Sequence, residues 1–209
     1  MMRSSRGAAR AGYVAVLAAV AALWPSPAEA HLVTTGLGPI YDGISHVLMS
    51  PDDLIPLVAM ALLAGMNGPA AGRRTLFALT SAWLVGGLAG FLVGHSLVPG
   101  SAATASFLVL GGFIAADRRM PSRLVSALAM AVGLLHGWLN GVGIAESQRE
   151  ALGLVGIASA TFVLVALASA FALSLSRRAE WMRVAIRVAG SWVAAIGLLM
   201  LGWSLRGSF

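Results

Sequence analysis
Six long apolar stretches, separated by short polar or turn-forming breaks, run through most of the chain, near residues 41–66, 75–98, 102–116, 124–146, 151–175 and 184–206. About 20 apolar residues, with a range of about 17–25, bridge the hydrocarbon core of a bilayer as an α-helix. Each stretch is therefore predicted as a transmembrane helix, the third being short enough that it should extend past its apparent ends. A seventh, shorter stretch precedes them. Ala11 to Trp24 is apolar, Arg3, Arg6 and Arg10 lie before it, and Pro25-Ser26-Pro27 and Ala28-Glu29-Ala30 follow. A basic start, a short apolar run and an A-x-A site are the marks of a secretory signal. The expectation is a signal peptide over 1–30, cleaved after Ala30, and one all-α transmembrane domain of about six helices over 31–209.

Composition supports a lipid-facing surface. Only 11% of the residues are charged and 58% are hydrophobic, whereas a soluble domain carries about 25% charged residues. The net charge of +6 comes entirely from arginine, because lysine is absent. These arginines cluster in alternate connections: Arg73 and Arg74; Arg118, Arg119 and Arg123; Arg177, Arg178 and Arg183. The intervening connections hold only Arg149. The positive-inside rule puts the three basic connections in the cytoplasm. The chain should then be a multi-pass protein of the bacterial inner membrane with both mature termini in the periplasm. With this explanation of the charge, nucleic acid is not an expected partner. Without cysteine there is no disulfide, thiolate metal site or thioether-attached haem.

Ionisable residues inside a span are costly and mark function by default. The chain has four histidines, His31, His46, His95 and His136, and the expected topology puts all four in the outer half of the membrane. Cleavage after Ala30 would leave His31 as the N-terminus, its amine and imidazole able to chelate a transition metal together. The first helix is the richest. Asp42, His46, Met49, Asp53, Met60 and Asn67 lie within roughly 40° of the Asp42 direction on a continuous helix, forming one polar stripe. Pro51 interrupts that helix, since it lacks the amide that would bond Val47. Ser50-Pro51-Asp52-Asp53 also reads as a helix start, with a cap, a first-turn proline and first-turn acids. The first helix is therefore predicted to break near Ser50-Pro51, and a break at membrane depth suits a cavity or an ion path.

The second helix carries Gly86, Gly90 and Gly94 beside His95; the fourth carries Gly133, Gly137 and Gly141 beside His136 and Asn140. Small residues every four positions allow close backbone approach, so these glycines are read first as a packing seam. Carboxylates and imidazoles without thiolate suit a borderline divalent ion such as nickel, cobalt or zinc. Nothing resembles a nucleotide-binding loop with its lysine.

The segment Gly43-Ile44-Ser45-His46-Val47-Leu48-Met49-Ser50-Pro51-Asp52-Asp53-Leu54 resembles the first-helix motif of the HupE/UreJ family of nickel or cobalt permeases, approximately His-Pro-x-x-Gly-x-Asp-His-Leu-Leu-Ala-Met. His46 matches the family's first histidine, Asp52 its aspartate, and Asp53 stands at its second histidine. In the fourth helix, His136-Gly137-Trp138-Leu139-Asn140-Gly141 resembles the family's His-Gly-His-Ala-His-Gly, with one histidine and both glycines retained. The signal, layout and length extend the resemblance over nearly the whole chain. It implies a permease, not an enzyme, importing nickel or cobalt as substrate with no prosthetic group. The candidate metal residues are His46, Asp52, Asp53, Asp42, His136, His95 and His31; the resemblance favours Asp52 and the stripe favours Asp53. The expected partners are the metal ion and membrane lipid, with association into a homo-oligomer left open. Two other readings compete: a membrane electron-transfer subunit holding b-type haem between His95 and His136, and a non-transporting assembly or chaperone protein.

Overall fold
The computed structural model describes residues 34–178 and 180–206. The expected signal peptide and His31 lie outside them. Among the described residues the chain is entirely α-helical, with no strand.

Glycine and proline punctuate the helices. Gly38, at φ 106°, turns the chain into α1 (Pro39–Met49), whose first position is proline. Ser50 adopts an extended conformation, φ −100° and ψ 99°, and Pro51 then starts α2 (Pro51–Met66). The two axes differ by 74°. The predicted break is therefore present, because proline fits the first turn of a new helix far better than the interior of an old one. Gly68, at φ 99°, and Pro69 repeat the device before α3 (Pro69–Val93). This helix consequently starts several residues before the expected position 75 and takes in Arg73 and Arg74. Gly94 closes α3 in the left-handed conformation, a geometry that glycine adopts without steric cost. The rest are α4 (Gly100–Ala115), α5 (Ser122–Glu146), α6 (Gly153–Arg178) and α7 (Glu180–Arg206).

Four helices, α3, α5, α6 and α7, are long and apolar enough to cross a membrane, and the bent α1–α2 pair makes a fifth candidate. At 16 residues α4 measures only about 24 Å, so the third expected span stays short of a full crossing by length. Among the described residues there are thus four to five candidate spans.

The centre of the bundle is α2, which contacts each of the other six helices. Its buried residues include Leu57, Met60, Leu63 and Ala64, so it is apolar nearly all round, as a central helix must be. The tightest pair is α3 with α5. Gly86 and Gly90 lie against the backbones of Leu134 and Trp138; Gly133, Gly137 and Gly141 lie against Leu79, Trp83 and Gly87. The constant offset makes the two helices parallel, and the glycine seam is real except at Gly94, which ends its helix. A second small-residue contact joins α4 and α7 in antiparallel register: Gly111 meets Gly190 and Ala194, and Gly197 meets Phe107.

Polar ties close the end of the bundle where α2 meets α3, α4 meets α5, and α7 begins. Asn67 donates to the Leu63 carbonyl at 2.8 Å and accepts the Met120 amide at 2.7 Å. Arg74 donates to Ser122, and Arg183 binds Asp117 through two nitrogens, with Nε–Oδ2 and Nη2–Oδ1 each 2.8 Å. At the opposite end Arg149 bonds Thr34 Oγ1 at 2.7 Å and pairs with Asp42 at 3.6 Å.

Candidate functional site
The break between α1 and α2 positions the site. Four residues before the break on α1 stands His46; three residues after it, in the first turn of α2, stands Asp53. The bend lets them meet: His46 Nε2 is 3.3 Å from Asp53 Oδ2. Ser50, at the bend itself, holds the other face of the imidazole, its Oγ 3.2 Å from His46 Nδ1. The glycine seam that presses α5 against α3 brings His136 to the same carboxylate, with Nδ1 3.0 Å from Asp53 Oδ1. One turn further along α5, Asn140 donates its amide to Asp53 Oδ2 at 2.9 Å. A residue of α4 closes the far side, Ser106 Oγ lying 3.0 Å from His136 Nε2. The indole of Trp83 on α3 covers the imidazole, with ring centroids 5.5 Å apart. His136 is fully buried, and Asp53, Ser106 and Asn140 are nearly so.

The proton inventory of this cluster is informative. Ser106 gives its single hydroxyl proton to the Ala103 carbonyl at 2.6 Å. His136 Nε2 must therefore donate to Ser106. A proton also lies on the line between His136 Nδ1 and Asp53 Oδ1, because two lone pairs would otherwise face each other at 3.0 Å. The order Ser106–His136–Asp53 has the connectivity of a hydrolase triad. Its serine, however, has no proton to give His136 and is buried between helices.

The expected site residues separate into those that meet and those that do not. His46, Asp53 and His136 meet. Of the two neighbouring acids, Asp53 is buried in the cluster while Asp52 is exposed outside it. Asp42, one turn beyond His46 on α1, stands outside the cluster. It accepts from the Thr35 amide and hydroxyl at 2.6 and 2.7 Å and pairs with Arg149. There it lines a cavity of about 390 Å³ with Thr34, Gln148, Glu150 and Gly153. The continuous polar stripe is therefore not formed: Met49 is exposed, Met60 is packed in the core, and Asn67 caps α2. His95 is also apart. It lies beyond the end of α3, exposed, with Nδ1 3.0 Å from the Val93 carbonyl. Since both ring nitrogens of His136 are already engaged and His95 is on the surface, the pair does not offer opposed axial ligands for haem.

Asn140, Ser106 and Trp83 complete the cluster and were not among the expected site residues. Asn140 could have been found as a polar residue one turn from His136, and Ser106 as a buried-face hydroxyl on a short apolar helix. Trp83 gives no such signal.

Among the described residues, no three histidine, aspartate or glutamate side chains are arranged as a ready shell around an ion. The reason is visible in the contacts: Asp53 lies between the two imidazoles and bonds each with a different oxygen, so the three donors form a line and do not converge on one point.

The fold and this internal cluster define a class, a multi-pass helical membrane protein with an acid–imidazole centre walled inside its bundle. The chain belongs to the HupE / UreJ protein family, whose profile matches residues 17–200. No curated protein and no solved structure matches it.

Proposed function
We propose that the chain is a secondary permease that imports a divalent transition-metal ion, nickel or cobalt, across the bacterial inner membrane. One observation carries the reading: Asp53 is held between His46 and His136, on three different helices and out of water. Buried ionisable groups of this kind in a membrane bundle are expensive, and by default they mark a substrate or ion path. Two imidazoles and a carboxylate are the donor set of a borderline divalent ion. Family membership agrees with a role in membrane metal transport.

Loading requires rearrangement, and a small one. The Asp53–His contacts of 3.0 and 3.3 Å are close to the edge of a tetrahedral shell, about 3.3 Å for metal–ligand bonds of 2.0–2.1 Å. A dication replaces the proton on one such line, and rotation of the Asp53 carboxylate recruits the second imidazole. The membrane potential supplies about 2.3 kcal/mol per charge per 100 mV, so about 5 kcal/mol for a dication moving inward. In this reading the arginine-rich end faces the cytoplasm, the Asp42–Arg149 end faces the periplasm, and residues 1–30 are a cleaved leader.

The test is nickel and cobalt accumulation in cells expressing the chain or its Asp53→Asn variant. Uptake should fall at least about 10-fold with the variant, as the buried ligand loses its charge. Equal accumulation with both proteins removes the site from transport.

A further inference from the structure
The amide of Asn140 is oriented by its neighbour. Its nitrogen donates to Asp53 Oδ2 at 2.9 Å, and the reverse orientation would set two acceptors against each other. The other end, Oδ1, is therefore fixed as well. It is buried and has no hydrogen-bond partner, on a residue only 8% exposed. A buried acceptor left without a donor costs about 1–3 kcal/mol, and inside a membrane bundle it has no bulk water to turn to. By amide geometry Oδ1 lies no more than about 5 Å from Asp53 Oδ2, the oxygen that His46 also approaches.

An orphaned carbonyl oxygen can be satisfied only by a proton donor or a cation. No side chain donates to it: Ser106 has given its proton to Ala103, Ser50 is spent on His46, both nitrogens of His136 are engaged, and the buried indole N–H groups of Trp83 and Trp138, themselves unpartnered, do not reach it. The imidazole and carboxylate donors do not close on one point by themselves. We infer that Asn140 Oδ1 is a direct ligand of the transported cation, the neutral oxygen that completes the coordination started by Asp53 and His46. The inference rests on the permease reading and adds to it a residue that sets selectivity. An amide oxygen is a harder donor than imidazole, so it lets the site tolerate ions that prefer oxygen.

Two roles for Asn140 must be separated: a ligand acting through Oδ1, and a positioning residue acting on Asp53 through Nδ2. Aspartate keeps the oxygens and loses the amide donor; leucine has similar bulk and loses both. The experiment is equilibrium binding of Ni²⁺ to the purified full-length protein in lipid nanodiscs, for the wild type and for Asp53→Asn, Asn140→Asp and Asn140→Leu. As a ligand, Asn140→Asp should bind Ni²⁺ at least as tightly as wild type, and Asn140→Leu about 10-fold or more weakly. If the Asp and Leu variants are weakened alike, Asn140 only positions Asp53 and the inference is overturned. If both bind like wild type while Asp53→Asn does not, the inference falls and the permease reading stands. If wild type does not bind, or Asp53→Asn binds equally well, both fall. Should Asn140→Leu fail to fold, the aspartate variant decides alone, because lost affinity in that folded protein overturns the inference.

Discussion
Replacing Gly137 with alanine places a methyl group where the backbone of Trp83 already stands. The added Cβ would lie 2.8 Å from the Trp83 carbonyl carbon and 2.9 Å from its Cα, and would collide with the carbonyl oxygen. Ordinary carbon contacts begin near 3.5 Å, and backbone cannot swing aside as a side chain can. Parallel helices α3 and α5 must then part by about 1 Å, at a cost of about 1–3 kcal/mol for overpacking. Against this, alanine in place of glycine inside a helix gains about 0.5–1 kcal/mol. Gly143 on the same helix isolates that gain, since a Cβ there would meet nothing within 4 Å. For a chain of this length, 1 kcal/mol moves the melting temperature by about 2–4 °C. Gly143→Ala should therefore melt about 1–4 °C higher than wild type and Gly137→Ala up to about 10 °C lower. Tryptophan fluorescence on heating in detergent, at one scan rate, reads both, with Trp83 and Trp138 beside the seam as reporters. Metal uptake by Gly137→Ala should fall too, because a 1 Å shift stretches the 3.0 Å bond between His136 and Asp53 past hydrogen-bond range. Two variants that melt higher by similar amounts would show that the helices are not in backbone contact there.

Substituting Asp52→Asn or His95→Ala, both exposed, should leave nickel accumulation within about twofold of wild type, the usual size of a surface change; loss of uptake in Asp52→Asn equal to that in Asp53→Asn would refute the choice of Asp53. Asn67→Ala removes the side chain that caps α2 and holds the Met120 amide, so it should cost about 1–3 kcal/mol and lower the melting temperature by several degrees. An unchanged melt would mean that this tie carries no stability.

The apolar stretches and their Gly and Pro borders carry most of the helix layout in the sequence, because each border has a local cause. Pro51 and Ser50 announce the break in the first helix, and the glycine repeats announce the α3–α5 seam. Two borders were harder. The charged pair Arg73-Arg74 suggests a loop, yet Pro69 had already started α3, and arginine near a helix end can reach past the apolar core to a polar partner such as Ser122. Gly94 fits the glycine repeat by spacing, but it is the left-handed stop that leaves His95 outside. The site was legible in part. Spacing alone brought His46 and Asp53 to one face, and both remain together because the bend and the seven-residue offset happen to agree. The same spacing grouped Asp42 with them, but Asp42 stands a further turn up α1, where Thr35 and Arg149 hold it at the end of the bundle. The contributions of Ser106 and Asn140 depend on which helices neighbour α5, which no local pattern encodes.

The elbow at Ser50 makes the cluster a joint between two rigid rods. His46 is about 6 Å along α1 from the pivot, so turning α1 by 10° swings its imidazole by about 1 Å relative to Asp53. The spacing of the imidazole from the carboxylate is thus tied to a single angle. Under the proposed permease reading, motion of the outer segment, held at its far end by Arg149, would be a dial on the affinity within.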